Sequence, residues 1–259
     1  SVLLCLRKHQ LFLNTVKYRF HDVDVVDIEK QLMLAQAQQN RLLIVDAVDA
    51  ASGNIAPLER LTALSARYKA ITVVDETYSL GLIGVGGSGI CSLYDSQPEV
   101  EMHIGSLSAV VGCGCGAYIA GRAEIIDWLR QQPYSLSPSG SLSMVEAAAA
   151  IAAINRLQDN NTDRKYVTDI ANYLIRQLYA IGLEVLPTQT PIVAVTIDTA
   201  DEALRIARQL RRQGILVSCL VPPLTGKSGS RIVMHTSTAL TEKHIEHITA
   251  MMQKIVAGR

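Results

Sequence analysis

Apolar positions in the first half of the chain follow two periods, one typical of buried strands and one of amphipathic helices. Residues 41–48 (RLLIVDAV) and 70–74 (AITVV) are short, nearly continuous apolar runs, as in strands buried on both faces of a sheet. Between them, residues 58–68 (LERLTALSARY) have a helical period, and Pro57 suits the first turn of that helix. This order predicts a βαβ unit with parallel strands and a right-handed crossover.

The same periods predict the other elements of this half. Asp24 is a suitable cap for a helix that follows it. Residues 1–9 and 14–20 predict the tail of a helix and a strand, and the later segments predict strands at 102–107 and 117–120 and helices at 122–132 and 142–157. Together they predict an α/β fold with a mainly parallel sheet.

A polar run at 159–162 (DNNT) predicts a domain boundary. We therefore expect a large domain over residues 1–158 and a small one over residues 159–259. In the small domain the pattern predicts helices at 164–181, 200–213 and 242–255, and strands at 190–197, 214–220 and 231–235. This composition of elements predicts a small α+β domain.

Composition and charge exclude several classes of function. The chain has 24 basic and 24 acidic residues, so it offers no charge field for nucleic acid or an anionic surface. Its five cysteines are odd in number and scattered, which favours a reducing compartment over a disulfide framework. No apolar run approaches the roughly 18–20 residues that span a bilayer, so we expect this piece to be soluble.

Candidate chemistry lies in residues 73–118. An apolar run ends at Asp75 and opens into a glycine-rich stretch at 81–89, which indicates a ligand crevice at the carboxyl end of a strand. Ser106 and Ser108 lie at the end of the next predicted strand, where their hydroxyls suit a phosphate group.

These motifs resemble those of the α-oxoamine synthases, pyridoxal-phosphate (PLP) enzymes that condense an amino acid with an acyl-CoA. The family pattern D-E-A-H-S-x-G-x-x-G-x-x-G-x-G corresponds to residues 75–89, and G-T-x-S-K corresponds to residues 105–109. The resemblance implies the PLP-dependent transferase fold type I, with a partial large domain. It also implies that Asp75 faces the PLP pyridine nitrogen, that Tyr78 replaces the histidine contacting the ring, and that Ser106 replaces a phosphate-binding threonine.

Four positions depart together from the family pattern. Ala109 replaces the lysine that forms the Schiff base with PLP, so covalent chemistry is not expected at this position. Tyr78 is expected to fill the space of the cofactor. Val221 and Val233 replace arginines of catalytic relatives, and Arg231 nearby is predicted to be a structural ion-pair partner. Four changes in one direction indicate a lost active site, and we predict no catalytic residue in this chain.

The family has a branch of this kind, the lysine-less subunit of eukaryotic serine palmitoyltransferase. The resemblance implies a non-catalytic subunit that pairs as a heterodimer with a lysine-bearing subunit, which would hold the PLP. The complex would join L-serine to palmitoyl-CoA, giving 3-ketodihydrosphingosine, the first step of sphingolipid synthesis. Ser137 and Ser139 lie in a loop that resembles one reaching the neighbouring subunit's PLP phosphate, so we predict that contact for them.

The resemblance also implies a location at the cytosolic face of the endoplasmic reticulum membrane. The chain begins with Ser1, and the resemblance begins within the family's large domain. We therefore expect a piece of a longer protein, with membrane contact only through its missing N-terminal part.

Two alternatives stay open. The first alternative is an active α-oxoamine synthase, such as an 8-amino-7-oxononanoate synthase, with a displaced lysine. Lys227 is the candidate for that lysine. Alternatively, the chain is a regulatory module that binds another ligand in the vestigial crevice.

Two short motifs are candidates for metal binding, and we predict that neither is a metal site. Cys113 and Cys115 lack a second cysteine pair and are expected to allow close backbone packing. His244 and His247 lie one helical turn apart without an evident third ligand. They are expected to form a solvated helix face.

Overall fold

The computed structural model describes residues 24–94, 99–114, 116–131, 142–159, 161–225 and 229–258. The elements predicted within residues 1–20 lie outside this part of the chain, and so do Cys115, Ser137, Ser139 and Lys227. The described residues form two compact units, one within residues 24–48 and 56–159 and one within residues 49–55 and 161–258. The predicted domain boundary at 158/159 stays a prediction.

The first unit contains a four-stranded sheet in the order β1-β2-β3-β4. Strands β1, β2 and β3 run parallel and β4 is antiparallel to β3, which confirms the mainly parallel sheet. The strands of this unit are β1 (Leu42–Asp46), β2 (Ile71–Asp75), β3 (Met102–Ser106) and β4 (Ala117–Gly121), and its helices are α1 (Val25–Leu34), α2 (Leu58–Tyr68), α3 (Ala123–Gln131) and α4 (Met144–Asp159).

Local sequence explains where the helices of this unit begin and end. Asp24 caps α1 by accepting a hydrogen bond from the Val26 N–H at 2.9 Å, as predicted. Helix α2 has the predicted bounds, and its apolar stripe is buried at Leu58 and Leu61. In the polar run at 159–162, α4 continues to Asp159 and the next helix begins at Asn161.

The second unit is an antiparallel sheet with three helices, the predicted α+β arrangement. Its strands lie in the order β5-β7-β6. The elements are α5 (Asn161–Ala180), β5 (Ile192–Ile197), α6 (Ala200–Arg212), β6 (Ser218–Leu220), β7 (Ser230–His235) and α7 (Glu242–Ala257). Strand β6 is shorter than the predicted strand 214–220, because the Ile215 N–H bonds back to the Leu210 carbonyl and closes the end of α6.

Residues 49–55 belong to the second unit through polar contacts around Gly53. The Gly53 carbonyl accepts hydrogen bonds from the hydroxyls of Thr188 at 3.1 Å and Thr190 at 2.9 Å. The Arg231 guanidinium donates to the Ala51 carbonyl at 3.4 Å. This segment is therefore fixed to the sheet of the second unit although the sequence places it between β1 and α2.

No helix of the described residues is long and apolar enough to cross a membrane. Helix α5 has 20 residues, but charged and polar side chains recur along it.

Thr199 is the N-cap residue of α6. Its hydroxyl accepts a hydrogen bond from the Glu202 N–H at 3.2 Å, and the helix buries Ile206 and Leu210 completely. We expect Thr199→Ala to lower the free energy of unfolding by about 1 kcal/mol, since one helix N–H loses its partner. Thermal unfolding measures the loss. Thr199→Ser keeps the hydroxyl and is the control; equal destabilisation by both variants would exclude the cap as the cause.

Candidate functional site

The carboxyl ends of the three parallel strands meet at one edge of the first unit's sheet. The register pairs Asp46 with Asp75 and Asp75 with Ile104, so Asp75 and Ser106 lie at neighbouring strand ends. Because side chains alternate along a strand, both lie on the face that also carries Ile104. The structure thus brings two predicted site residues to one edge, as the motif indicates.

Two hydrogen bonds fix the backbone at this edge. The Asp75 carboxylate accepts from the Thr77 N–H at 2.9 Å, and the Thr77 hydroxyl accepts from the Ser106 N–H at 3.1 Å. Asp75 therefore closes a turn with its side chain and remains half-buried. Tyr78 follows directly and is half-buried as well.

Ser106 and Ser108 form a pair of hydroxyls after β3. Their Oγ atoms lie 2.7 Å apart, and the Ser108 N–H donates to the Ser106 Oγ at 3.1 Å. Ala109 follows and is exposed. At the position where the family pattern has its lysine, this chain presents an exposed methyl group.

Two lysines of the first unit lie in the described residues, and neither is at this edge. Lys69 ends α2 and precedes the amino end of β2, at the opposite end of that strand from Asp75. Lys30 lies on α1. Neither residue therefore replaces the missing amine at the strand ends.

The opposite face of the sheet carries residues that the sequence motifs did not indicate. Tyr118 on β4 pairs with Gly105, and a Cβ at Gly105 would lie 2.7 Å from the Tyr118 ring, so the glycine is needed for this packing. Burial and the nearby carboxylates of Glu76 and Asp75 raise the pKa of Tyr118 well above its usual value. The Tyr118 hydroxyl is therefore neutral at physiological pH.

Glu76 and His103 form a pair on this face, in which Glu76 is buried and His103 is half-buried. The Glu76 Oε1 lies 3.2 Å from the His103 Nδ1, and Glu76 is only 3% exposed. Hydrogen bonds to the Cys91 side chain and then to Glu76 raise the pKa of His103 to about 9, against an opposing effect of burial. Sequence spacing could not reveal this pair, because its members are 27 residues apart, one directly after β2 and the other in β3.

The two departures of the second unit, Val221 and Val233, lie in or beside its core. Val233 is wholly buried in β7, and Val221 packs against the apolar core. Arg231 is 6% exposed and donates a hydrogen bond to the Ala51 carbonyl. Within the described part of the unit, this carbonyl takes the place of the carboxylate that the predicted ion pair requires. A charged guanidinium at position 233 would be desolvated here.

Cys113 and His244, one residue from each of the two short motifs, contribute to packing and capping. Cys113 is buried in an apolar cluster with Leu107, Val111 and Ala150. The His244 Nδ1 accepts from the Thr241 N–H at 3.1 Å and completes the capping box at the start of α7. These positions therefore have structural roles in the folded chain.

A family model decides the classification. The model for class I and II aminotransferases matches residues 11–248. The chain belongs to this family. Its relatives include the 8-amino-7-oxononanoate synthase of Petrotoga mobilis, 31% identical over 92% of this chain, and the serine palmitoyltransferase of Bacteroides thetaiotaomicron, 27% identical over 95% of it. Both are α-oxoamine synthases, so the predicted resemblance is confirmed at the level of that group.

Solved structures confirm the fold. A serine palmitoyltransferase with its PLP internal aldimine superposes with a TM-score of 0.83 at 24% identity, over 93% of this chain and 61% of that one. The Francisella tularensis 8-amino-7-oxononanoate synthase gives 0.71 at 22% identity, over 88% and 67%. These matches show the PLP-dependent transferase fold type I with a partial large domain. The chain spans about 61% of the length of the curated relatives named above.

The residues present do not fit a covalently held PLP. Asp75 is retained at the strand end, but the position of the family's lysine carries the Ala109 methyl group. In the first unit, the lysines within the described ranges lie elsewhere, as shown above. We therefore derive no catalytic step through PLP on this chain.

Proposed function

We propose that this chain is a non-catalytic subunit of a PLP-dependent acyltransferase of the serine palmitoyltransferase type. The observation that carries the proposal is the exposed methyl group of Ala109 at the lysine position of the family motif. A methyl group cannot form an imine with an aldehyde, so position 109 cannot supply the amine, and the proposal takes it from another chain. The reaction of the complex would join L-serine and palmitoyl-CoA to give 3-ketodihydrosphingosine, CO2 and free CoA.

The second unit gives independent support. Val233 is wholly buried in β7, where a catalytic relative has an arginine for the substrate carboxylate. An arginine here would lose its hydration, because the position is wholly buried. This position therefore suits an apolar side chain and not the arginine of catalytic relatives.

Helix α4 has exposed apolar side chains that suit contact with a partner subunit. Met144, Val145 and Ile151 on this helix are 90%, 79% and 63% exposed, although all three are apolar. Exposed apolar area of this kind is typical of association surfaces.

The proposed partner is the lysine-bearing subunit of a heterodimer at the cytosolic face of the endoplasmic reticulum. We propose that Ser137 and Ser139 contact the PLP phosphate of this partner.

Reconstitution of the complete subunits tests the proposal. Co-expression with a lysine-bearing serine palmitoyltransferase subunit should give a complex that forms 3-ketodihydrosphingosine, and this chain alone should give none. Replacing the partner's Schiff-base lysine with alanine should abolish turnover, whereas Ala109→Ser in this chain should leave it within about twofold, because surface substitutions without buried partners have small effects. Turnover by this chain alone would refute the proposal.

A second candidate function is an active 8-amino-7-oxononanoate synthase type of enzyme with a displaced lysine. The 31% identity to the Petrotoga mobilis enzyme favours it. Lys227 is its candidate residue. Borohydride reduction in the presence of PLP, followed by peptide mapping, distinguishes the two candidates: a pyridoxyl label on Lys227 supports the active enzyme, and a label only on the partner supports the silent subunit.

A further inference from the structure

Three side chains that commonly bind metal ions meet on the face of the sheet opposite Asp75 and Ser106. They are Glu76 after β2, Cys91 in a short 3-10 helix at Ile90–Leu93, and His103 in β3. One ligand atom from each lies within 4.8 Å of the corresponding atoms of the other two. Sequence analysis predicted no metal site, because the three residues come from separate elements.

The carboxylate is already oriented by other groups. The Glu76 Oε2 accepts hydrogen bonds from the Ser79 hydroxyl and, at 3.2 Å, from the Ile90 N–H. Gly89 lies so close that a Cβ would be 2.8 Å from the same oxygen. These contacts fix the carboxylate and leave Oε1 directed at His103, 3.2 Å from its Nδ1. Outer contacts of this kind hold metal ligands in position.

The set of ligand atoms selects the class of ion. One thiolate sulfur, one imidazole nitrogen and one carboxylate oxygen suit Zn²⁺, whereas Ca²⁺ and Mg²⁺ prefer oxygen alone. Zinc–ligand bonds of about 2.0–2.3 Å place tetrahedral ligand atoms about 3.3–3.8 Å apart. The Glu76–His103 separation of 3.2 Å is close to this value, and the Cys91 sulfur lies within 4.8 Å of a ligand atom of each of the other two residues.

The three residues differ in exposure, which gives the site a protected side and a side open to solvent. Glu76 is buried, whereas Cys91 and His103 are half-buried and reach solvent on one side. An ion can therefore enter from the solvent side and retain a water molecule. Three protein ligands with one open position are typical of zinc sites that bind or activate a small ligand.

We propose that Glu76, Cys91 and His103 form a site for Zn²⁺ with a fourth position open to solvent. The ion would join the ends of β2 and β3 to the glycine-rich segment that carries Cys91. The site lies on the other face of the sheet from Asp75 and Ser106, so it does not depend on the proposed subunit role.

Titration of the full chain with Co²⁺ tests the site, because cobalt replaces zinc and gives a thiolate-to-metal absorption band when a cysteine binds it. We expect one equivalent of Co²⁺ to produce this band and Zn²⁺ to displace it. Cys91→Ser should remove the band. His103→Gln should weaken Co²⁺ binding by more than about 100-fold, the upper end of the effect of outer-contact substitutions.

Two further variants make the test specific. Cys219→Ser removes a half-buried cysteine of the second unit and should leave the band and the affinity unchanged. Ser79→Ala removes an outer contact of Glu76 and should weaken binding about 10-fold while the band persists. Circular dichroism checks that each variant is folded. If folded Cys91→Ser and His103→Gln bind Co²⁺ like the original chain, or if the original chain gives no band, the proposal is wrong.

Discussion

Glu76→Ala should destabilise the first unit by about 3–5 kcal/mol, because it removes a buried carboxylate that accepts several hydrogen bonds. The carboxylate is 3% exposed and accepts hydrogen bonds from the Ser79 hydroxyl and the Ile90 N–H, besides its contact with His103. Alanine leaves all three groups without this acceptor. Each neutral group left unsatisfied costs about 1–3 kcal/mol.

Urea unfolding in the presence of a chelator measures this effect without a contribution from bound metal. Trp128 is the single tryptophan of the chain and lies on α3, so its fluorescence reports on the first unit. Glu76→Gln keeps acceptor capacity for Ser79 and Ile90 and should cost less than the alanine variant. Glu59→Ala on the exposed face of α2 is the matched control, expected within about 0.5 kcal/mol of the original chain. A loss below about 1 kcal/mol for Glu76→Ala would contradict the argument.

Gly53→Ala should destabilise the second unit by about 2–5 kcal/mol. The residue has a φ of +76°, a left-handed conformation that costs other residues about 1–2 kcal/mol. In addition, a Cβ there would lie 2.7 Å from both the Ile192 carbonyl and the Thr190 hydroxyl and still closer to the Thr188 hydroxyl. Relieving this overlap costs about 1–3 kcal/mol and displaces the hydroxyls that bind the Gly53 carbonyl.

Gly182→Ala separates the two contributions. Gly182 has a similar φ of +78° in the same unit, and nothing lies within 4 Å of the position of its Cβ. We expect this control to cost only the conformational part, about 1–2 kcal/mol. Urea unfolding followed by circular dichroism compares the two variants. Equal losses would show that the contacts with Thr188 and Thr190 do not limit the second unit's stability.

Local patterns predicted much of the fold because they act over a few residues. Helix α2 has the predicted bounds since its apolar stripe and Pro57 are both visible in consecutive residues. The cap at Asp24 is equally local. Predictions were less accurate where a distant contact decides the boundary, as at strand β6, which begins only after the end of α6 is closed by the Ile215–Leu210 hydrogen bond.

Part of the candidate site was also predictable. Asp75 and Ser106 meet because parallel strands bring their carboxyl ends to one edge, and the strand pattern predicts parallel pairing. Tyr118 was missed because its place opposite Gly105 depends on the antiparallel register of β3 and β4. A pattern in one strand does not specify its partner's register.

By itself, the sequence determined the α/β class, the glycine-rich motif after Asp75 and the alanine at position 109, since each of these is a property of consecutive residues. Only the tertiary structure brought Glu76, Cys91 and His103 together and tied Gly53 to Thr188 and Thr190 across 135 and 137 residues. The difference lies in the sequence separation over which each kind of interaction acts. Backbone period and helix capping depend on near neighbours, whereas these contacts depend on strand register and on the path of the loops between strands.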